Sequence, residues 1–361
     1  MSKRILLLCP HPEGVAPGQR LKYEQYFEYL KSNGYDIQIS PFMSKRFWGI
    51  VYRNGRYPEK IFWTIVGYLV RLGDLFRVPF YDGVFVFLWV TPFGTTFFEK
   101  IVSAFSKNLL YDIDDLVFMK PKSTVNPIAG LFKSSQKPIV LMKNADHVIT
   151  CTPYLDQLVR KHNQNTTDIS STINTETYLP VNRYSNCETL VLGWSGSFST
   201  SLYLRTIVPI LRKIQMKYRV KILIIGDPNF SVDGLRVESV AWSQEKEVET
   251  LQKIDIGLYP LPDEEWVQGK SGLKALQYMA LGIPTVATAI GANFRIIENG
   301  VSGYLVNTSD EWENRLIDLI ENEGLRKSMG VEARKSVVEN YSIEANKDIY
   351  LKIFNEVYSK S

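Results

Sequence analysis

Cysteine and histidine are scarce in this 361-residue sequence, with three of each. Cys9, Cys151 and Cys187 lie far apart and are odd in number, which excludes a disulfide framework and a paired-thiol metal motif. A reducing cytoplasm is the simple expectation. The histidines are equally scattered and offer no zinc-ligand pair. No apolar stretch reaches the roughly 20 residues needed to span a bilayer. The apolar run Ile5–Cys9 is too short for a signal sequence and is followed by Pro10 and Pro12, so it reads as a first strand. Internal repeats and low-complexity tracts are missing, which excludes a solenoid. A net charge of +4 is too mild to call for a nucleic-acid partner.

What is present suits two α/β domains. The length fits two cores, and a hydrophobic content of 45% is ordinary for a globular chain. Strand Ile5–Cys9, a loop from Pro10 to Arg20, a helix Leu21–Lys31 and strand Tyr35–Ser40 make a βαβ opening. Strand Gly83–Val90, helix Thr95–Ser106, strand Asn108–Asp115 and strand Ala145–Thr152 continue it. A polar linker at Arg183–Cys187 precedes a second series: strand Thr189–Trp194, helix Leu202–Met216, strands Val220–Gly226 and Val237–Trp242, and helix Gln244–Lys253. Helices Asp310–Asn322, Gly324–Asn340 and Ser342–Tyr358 close the chain. Strands alternating with helices in two halves predict two doubly wound domains, residues 1–183 and 188–340.

The most informative stretch runs from Asp255 to Leu305. The apolar run Ile256–Pro260 reads as a buried parallel strand, Leu273–Leu281 as a helix stopped by Gly282 and Pro284, and Pro284–Thr288 as the next strand. Between strand and helix stand Lys270, Ser271 and Gly272, with Ser271 a candidate N-cap. A cation, bare backbone and a helix start attract a phosphate, at the carboxyl end of a parallel sheet where open α/β folds bind ligands.

The residues Gly272-Leu-Lys-Ala-Leu-Gln-Tyr-Met-Ala-Leu-Gly-Ile-Pro284 and Asn299-Gly-Val-Ser-Gly-Tyr-Leu305 resemble the nucleotide-sugar site of family 4 glycosyltransferases. The resemblance implies the GT-B fold, two Rossmann-like domains with a deep interdomain cleft, and a C-terminal helix, residues 342–361, that crosses back onto the N-terminal domain. It also implies retaining transfer from a nucleotide diphosphate sugar, a UDP-sugar on base rates, to a glycan or polyprenyl-linked acceptor in cell-surface polysaccharide biosynthesis. No cofactor or metal is implied, because the nucleotide sugar is itself a substrate. Lys270 and Lys274 are the expected catalytic cations at the leaving diphosphate, aided by the Ser271 and Gly272 backbone and by Leu273. Gln277 stands where the family usually has a ribose-holding glutamate, and the family's second glutamate falls on Gly269, which passes that role to Asp263, Glu264 or Glu265.

Gly193–Ser197 matches the family's loop after the first strand of the second domain, with Gly196 and Ser197 on the phosphate side. The family's arginine at the Ser197 place and its nearby lysine are missing; Ser199 and Thr200 either donate to phosphate or cap a helix, and Arg205 is the one nearby cation. Trp242, after a strand, falls where the family reads the base, or else is core. In the first domain, Gly14, Gly18 and Arg20 take the place of the family's glycine loop, or form only a long turn. Asp114 and Asp115 align with the place of a sugar-contacting histidine and aspartate and are expected to be catalytic, with Asp112 beside them; helix capping or a solvated turn is the competing reading. Two further functions remain open: a non-catalytic GT-B binding subunit, favoured by Gln277 and the missing arginine, and a nucleotide-sugar epimerase, disfavoured by the scarcity of histidine.

Residues 44–78 form a separate segment with seven Lys or Arg against two acids, interleaved with Phe47, Trp48, Tyr52, Tyr57, Phe62 and Trp63. This composition suits an interfacial helix, and membrane-associated relatives dock such a surface on anionic lipid, so a peripheral place on the inner face of the plasma membrane is expected. Ile61, Ile65, Leu69 and Leu72 have the spacing of core residues, which predicts that this face packs on its own domain.

Overall fold

The computed structural model describes residues 2–51, 53, 55–116, 134–181 and 189–359. The linker expected at Arg183–Cys187, the domain edge at 183, and Tyr52 of the basic segment lie outside these residues. The chain divides into two compact units, Met1–Ser170 with Gly269–Ser271 and Asn346–Ser361, and Ser171–Gln268 with Gly272–Ala345.

The first unit holds β1 (Lys3–Cys9), α1 (Pro17–Arg20), α2 (Phe27–Ser32), β2 (Tyr35–Pro41), α3 (Lys45–Val51), α4 (Tyr57–Arg77), β3 (Gly83–Phe87), α5 (Phe97–Phe105), β4 (Leu109–Asp112), α6 (Gln136–Asn144), β5 (His147–Thr150), α7 (Pro153–Arg160) and β6 (Thr166–Asp168). Its sheet runs β2-β1-β3-β4-β5-β6, every neighbour parallel. Such strands are covered on both faces, which is why Ile5–Cys9 of β1 and the whole of β3 read as unbroken apolar runs. The helix expected over Leu21–Lys31 is broken. A 3-10 turn, Glu24–Tyr26, separates α1 from α2. The successive side chains Lys22 and Tyr23 are both almost fully buried, and a regular helix, turning ~100° per residue, would direct them apart.

The second unit holds β7 (Leu190–Ser195), α8 (Val208–Lys217), β8 (Val220–Ile225), β9 (Val237–Val240), α9 (Glu247–Leu251), β10 (Ile256–Tyr259), α10 (Leu273–Ala280), β11 (Thr285–Thr288), α11 (Asn293–Ile296), β12 (Gly303–Val306), α12 (Ser309–Glu321), α13 (Glu323–Asn340) and the start of α14 (Ile343–Tyr358). Its parallel sheet runs β12-β11-β10-β7-β8-β9. The single helix expected over Leu202–Met216 is a 3-10 stretch, Ser201–Ile207, followed by α8, because Pro209 near the start of α8 has no N–H for a continuous helix. Thr308 and Glu311 form a reciprocal capping box at α12. The part of α14 in the first unit packs there through Tyr350, stacked on Tyr26 at 4.3 Å, and through Tyr358, whose hydroxyl donates to the Val84 carbonyl.

The basic segment corrects one expectation. Ile61, Ile65, Leu69 and Leu72 face solvent, and the buried residues of α4 are Gly67, Arg71 and Asp74. The Arg71 guanidinium donates to the carbonyls of Cys9, Ser40 and Val90 and pairs with Asp74 at 2.8 Å. Gly67 lies against Phe42, leaving no room for a Cβ. These polar and backbone demands outweigh the apolar spacing and turn the helix the other way.

Candidate active site

In the second unit the strand order reverses between β7 and β10, the switch point at which open α/β sheets bind ligands. The loop after β7 begins at Gly196, and α10 follows β10. A Cβ on Gly196 would lie 2.6 Å from the Trp194 ring and 2.7 Å from Lys274 Cε, so the lysine stem crosses a place only glycine leaves open. Lys274 Nζ stands 5.5 Å from the ring centroids of both Trp194 and Tyr259. Two aromatic faces help to hold this cation in place. Below them, Tyr278 Oη accepts from the Ser195 N–H at 2.6 Å and donates to Ser195 Oγ at 3.1 Å, tying the end of β7 to α10. Burial pushes the Tyr278 phenol well above its usual range, which keeps it a donor.

Ser271 is not the N-cap. Gly272 takes that place with φ 73°, and a Cβ there would meet Ile296 at 2.2 Å. Leu273 is the first helical residue. Ser271 stands in the first unit, where its carbonyl accepts from Ser170 Oγ.

Gln277 is turned inward. Its amide donates to Tyr178 Oη at 3.0 Å and to Glu247 Oε1 at 3.2 Å. Tyr178 donates to the other oxygen of Glu247 at 2.8 Å, and Trp242 Nε1 donates to Oε1 at 3.0 Å. Glu247 is 5% exposed. A glutamate at position 277 would bring a second carboxylate against this buried one, a like-charge contact that glutamine converts into a hydrogen bond. Trp242 is thus joined to Gln277 through Glu247, and at 36% exposure it is not core.

Ser197 Oγ hydrogen-bonds with the hydroxyls of Ser199 at 2.8 Å and Thr200 at 3.4 Å, a cluster of neutral donors after Gly196. Arg205 lies over the Phe230 ring at 5.7 Å. Glu265 opens a 3-10 turn, Glu265–Gly269, whose Trp266 packs on Tyr203.

In the first unit the switch point lies between β1 and β3. Gly14, at φ 79°, donates its N–H to Glu24 Oε2, and Gln19 links the His11 backbone to the same glutamate. Gly18 sits in α1, where a Cβ would approach Asp114 Oδ2 at 3.2 Å; Arg20 ends that helix. Asp112 ends β4, and Asp114 and Asp115 follow the strand. Lys22 Nζ reaches Asp112 at 2.6 Å and Asp114 at 3.6 Å. Burial pushes the Asp112 carboxyl up to about 7, against the pull of the Lys22 ammonium. Burial also raises Asp114. For Lys22, burial pulls the pKa down, but Asp112 and Asp114 outweigh it and the net shift is upward.

Asp115 pairs with Lys270 at 2.8 Å, within the same unit. The carbonyl of the adjoining Gly269 accepts from Cys151, and a Cβ on Gly269 would lie 2.6 Å from Leu116, so there is no room there for a glutamate side chain. The two lysines assigned together from the sequence therefore belong to different units: Lys270 stands beside the Asp115 carboxylate, Lys274 beside two aromatic rings.

Sequence reasoning missed Lys22, Tyr178, Glu247, Tyr259 and Tyr278. For Lys22 a signal existed, since positions 22, 26 and 30 share one helical face and two of the three are Tyr26 and Leu30. For Glu247 and Tyr178 none did; their meeting joins residues 69 apart in sequence.

Lys274, Gly196 and the α10 start are set at a switch point, and residues 190–322 around them match the model described as glycosyl transferases group 1. The chain is 30% identical over 162 residues to the N-acetyl-alpha-D-glucosaminyl L-malate synthase of Bacillus anthracis, covering 42% of this chain and 41% of the synthase. It therefore spans less than half of that relative's length. Among solved structures, the sucrose-phosphate synthase of Thermosynechococcus elongatus superposes with a TM-score of 0.74 at 16% identity, covering 99% of this chain and 100% of that one. Anabaena HepE, solved with UDP and glucose, gives 0.64 at 14% identity, covering 98% and 99%. These likenesses place the two six-stranded sheets in the GT-B fold. The matched stretch holds every second-unit residue of the site described above except Tyr178.

Proposed function

We propose that the protein is a retaining glycosyltransferase that moves a sugar from a nucleotide diphosphate sugar, a UDP-sugar by preference, to a glycan or polyprenyl-linked acceptor in cell-surface polysaccharide biosynthesis. The observation that carries this reading is Lys274, held over Trp194 and Tyr259 beside Gly196 at the switch point of the group 1 domain. Negative charge grows on the diphosphate as the glycosidic bond breaks, and a fixed cation with helix N–H groups stabilises it. Ser197, Ser199 and Thr200 supply neutral donors to the same anion. These groups meet the diphosphate charge without a bound metal. HepE, of the same fold, was solved with UDP and glucose, which supports the choice of base and donor. Asp114, held toward its neutral form by burial, suits a group that exchanges a proton or hydrogen bond with sugar hydroxyls. A lipid-linked acceptor calls for a protein that meets the membrane from the cytoplasmic side.

A non-catalytic subunit of the same fold is the second reading, favoured by Gln277, whose amide is committed to Tyr178 and Glu247. Titration calorimetry with UDP, followed by incubation with a panel of radiolabelled nucleotide sugars and lipid-linked acceptors, tests both. Binding with transfer of label supports the enzyme; binding without transfer across the panel supports the subunit; no binding of any nucleotide removes both.

A further inference from the structure

Helix α4 presents to solvent the face that an amphipathic helix ordinarily buries. Ile61, Ile65, Leu69, Leu72 and Phe76 follow one another at spacings of four, four, three and four residues and leave 44–73% of their surface exposed. Phe80, on the 3-10 turn after α4, extends the stripe and is 70% exposed. Surface patches of this kind mark a contact with something outside the chain. The helix cannot roll to hide the stripe. Its opposite face is fixed by the Arg71 bonds to three backbone carbonyls and by the close approach of Gly67 to Phe42.

We propose that this face is a lipid-docking surface, on which α4 lies flat in the interfacial layer of an anionic bilayer. The charge around the stripe selects this occupant. Residues 44–107 contain nine Lys or Arg and four acids. Of the acids, Asp74 and Glu99 are buried and face Arg71 and Lys137, Asp82 accepts from the Arg4 N–H, and Glu59 lies 3.6 Å from Arg56. The exposed charge of this stretch is therefore cationic on balance, through Lys45, Arg46, Arg53, Lys100 and Lys107. A second copy packed on the same face would bring these cations against their own counterparts. An anionic headgroup layer meets both the apolar centre and the basic rim. No described helix is long and apolar enough to cross a membrane, so the surface lies on the lipid and does not span it. This inference stands apart from the glycosyl-transfer reading, since it needs neither donor nor acceptor.

The test is cosedimentation of the full chain with vesicles of phosphatidylcholine alone and of phosphatidylcholine with phosphatidylglycerol, at low and high salt, beside analytical ultracentrifugation without lipid. The chain is expected to pellet with anionic vesicles at low salt and to be released as salt rises. Ile65→Asp with Leu69→Asp should lower the partition constant by at least about tenfold, the loss of two inserted apolar side chains, with circular dichroism unchanged because both side chains already face water. Should that pair unfold the chain, Ile65→Ser with Leu69→Ser decides in the same assay. A wild-type chain that stays in the supernatant with anionic vesicles at low salt overturns the proposal. So does vesicle binding that the apolar substitutions leave intact, or a dimer without lipid that the same substitutions dissociate.

Discussion

The carboxyl ends of the two sheets are finished with different chemistry. In the first unit they rest on buried ions: Arg71 with Asp74, Lys137 with Glu99, and Lys22 with Asp112 and Asp114. In the second they rest mainly on aromatic hydroxyls, an amide and glycine backbone around a single buried carboxylate: Tyr278 on Ser195, Tyr178 and Gln277 on Glu247, and Gly196 under Lys274. A buried ion network is specific to its own members, because removing one partner strands the other charge. A platform of rings and hydroxyls tolerates a new charge arriving beside it, which suits the unit expected to receive a diphosphate. The family match falls on that second unit.

The largest effect expected is on the first unit. Lys22→Met strands Asp112 in the interior and should cost about 3–5 kcal/mol, measured by urea unfolding. Adding Asp112→Asn should recover most of it, since a neutral pair costs little to bury. A double variant as unstable as the single would show that Lys22 holds the unit by packing and not by charge.

The second unit should respond in rate more than in stability. Lys274→Ala is expected to lower turnover by about 100-fold or more while leaving the midpoint of unfolding nearly in place, read from radiolabel transfer and calorimetry on one preparation. Wild-type turnover in this variant would break the assignment of the platform to the diphosphate. Asp114→Asn sharpens the contrast further. Transfer should fall by about tenfold or more with UDP affinity unchanged, and a parallel fall in both would move Asp114 from the sugar to the nucleotide.

The smallest effect concerns pH. Burial pulls the imidazole pKa of His11 from 6.5 down to about 4. An unfolded chain therefore takes up the proton first as pH falls. The stability that neutral His11 contributes is present above about 6.5 and lost as pH falls toward about 4. Asp112 has the opposite sign: its carboxyl is raised from 3.8 to about 7, so its contribution is full at acid pH and lost as pH rises through that window. His11→Asn should flatten the acid limb of the stability profile between pH 6.5 and 4. An unchanged limb would assign the acid sensitivity to other groups.

The strands and most helices were legible because parallel, doubly covered strands must be apolar and helices must show a period of ~3.6 residues, and both signals are local. The glycine turn, Lys274 and the α10 start were legible for the same reason, lying within a few residues of one another. Three matters were decided only by tertiary structure. Whether α4 turns its apolar stripe inward depends on Arg71 finding carbonyls on three separate segments, at Cys9, Ser40 and Val90. Why position 277 carries glutamine depends on Glu247, thirty residues away, occupying the adjoining space with a buried charge. Why Lys270 stands against a carboxylate depends on Asp115, far off in sequence, reaching it at 2.8 Å. A local pattern reports which side chains prefer burial; which charge meets which is settled only when distant segments are brought within hydrogen-bonding reach, where desolvation makes an unpaired ion too costly to keep.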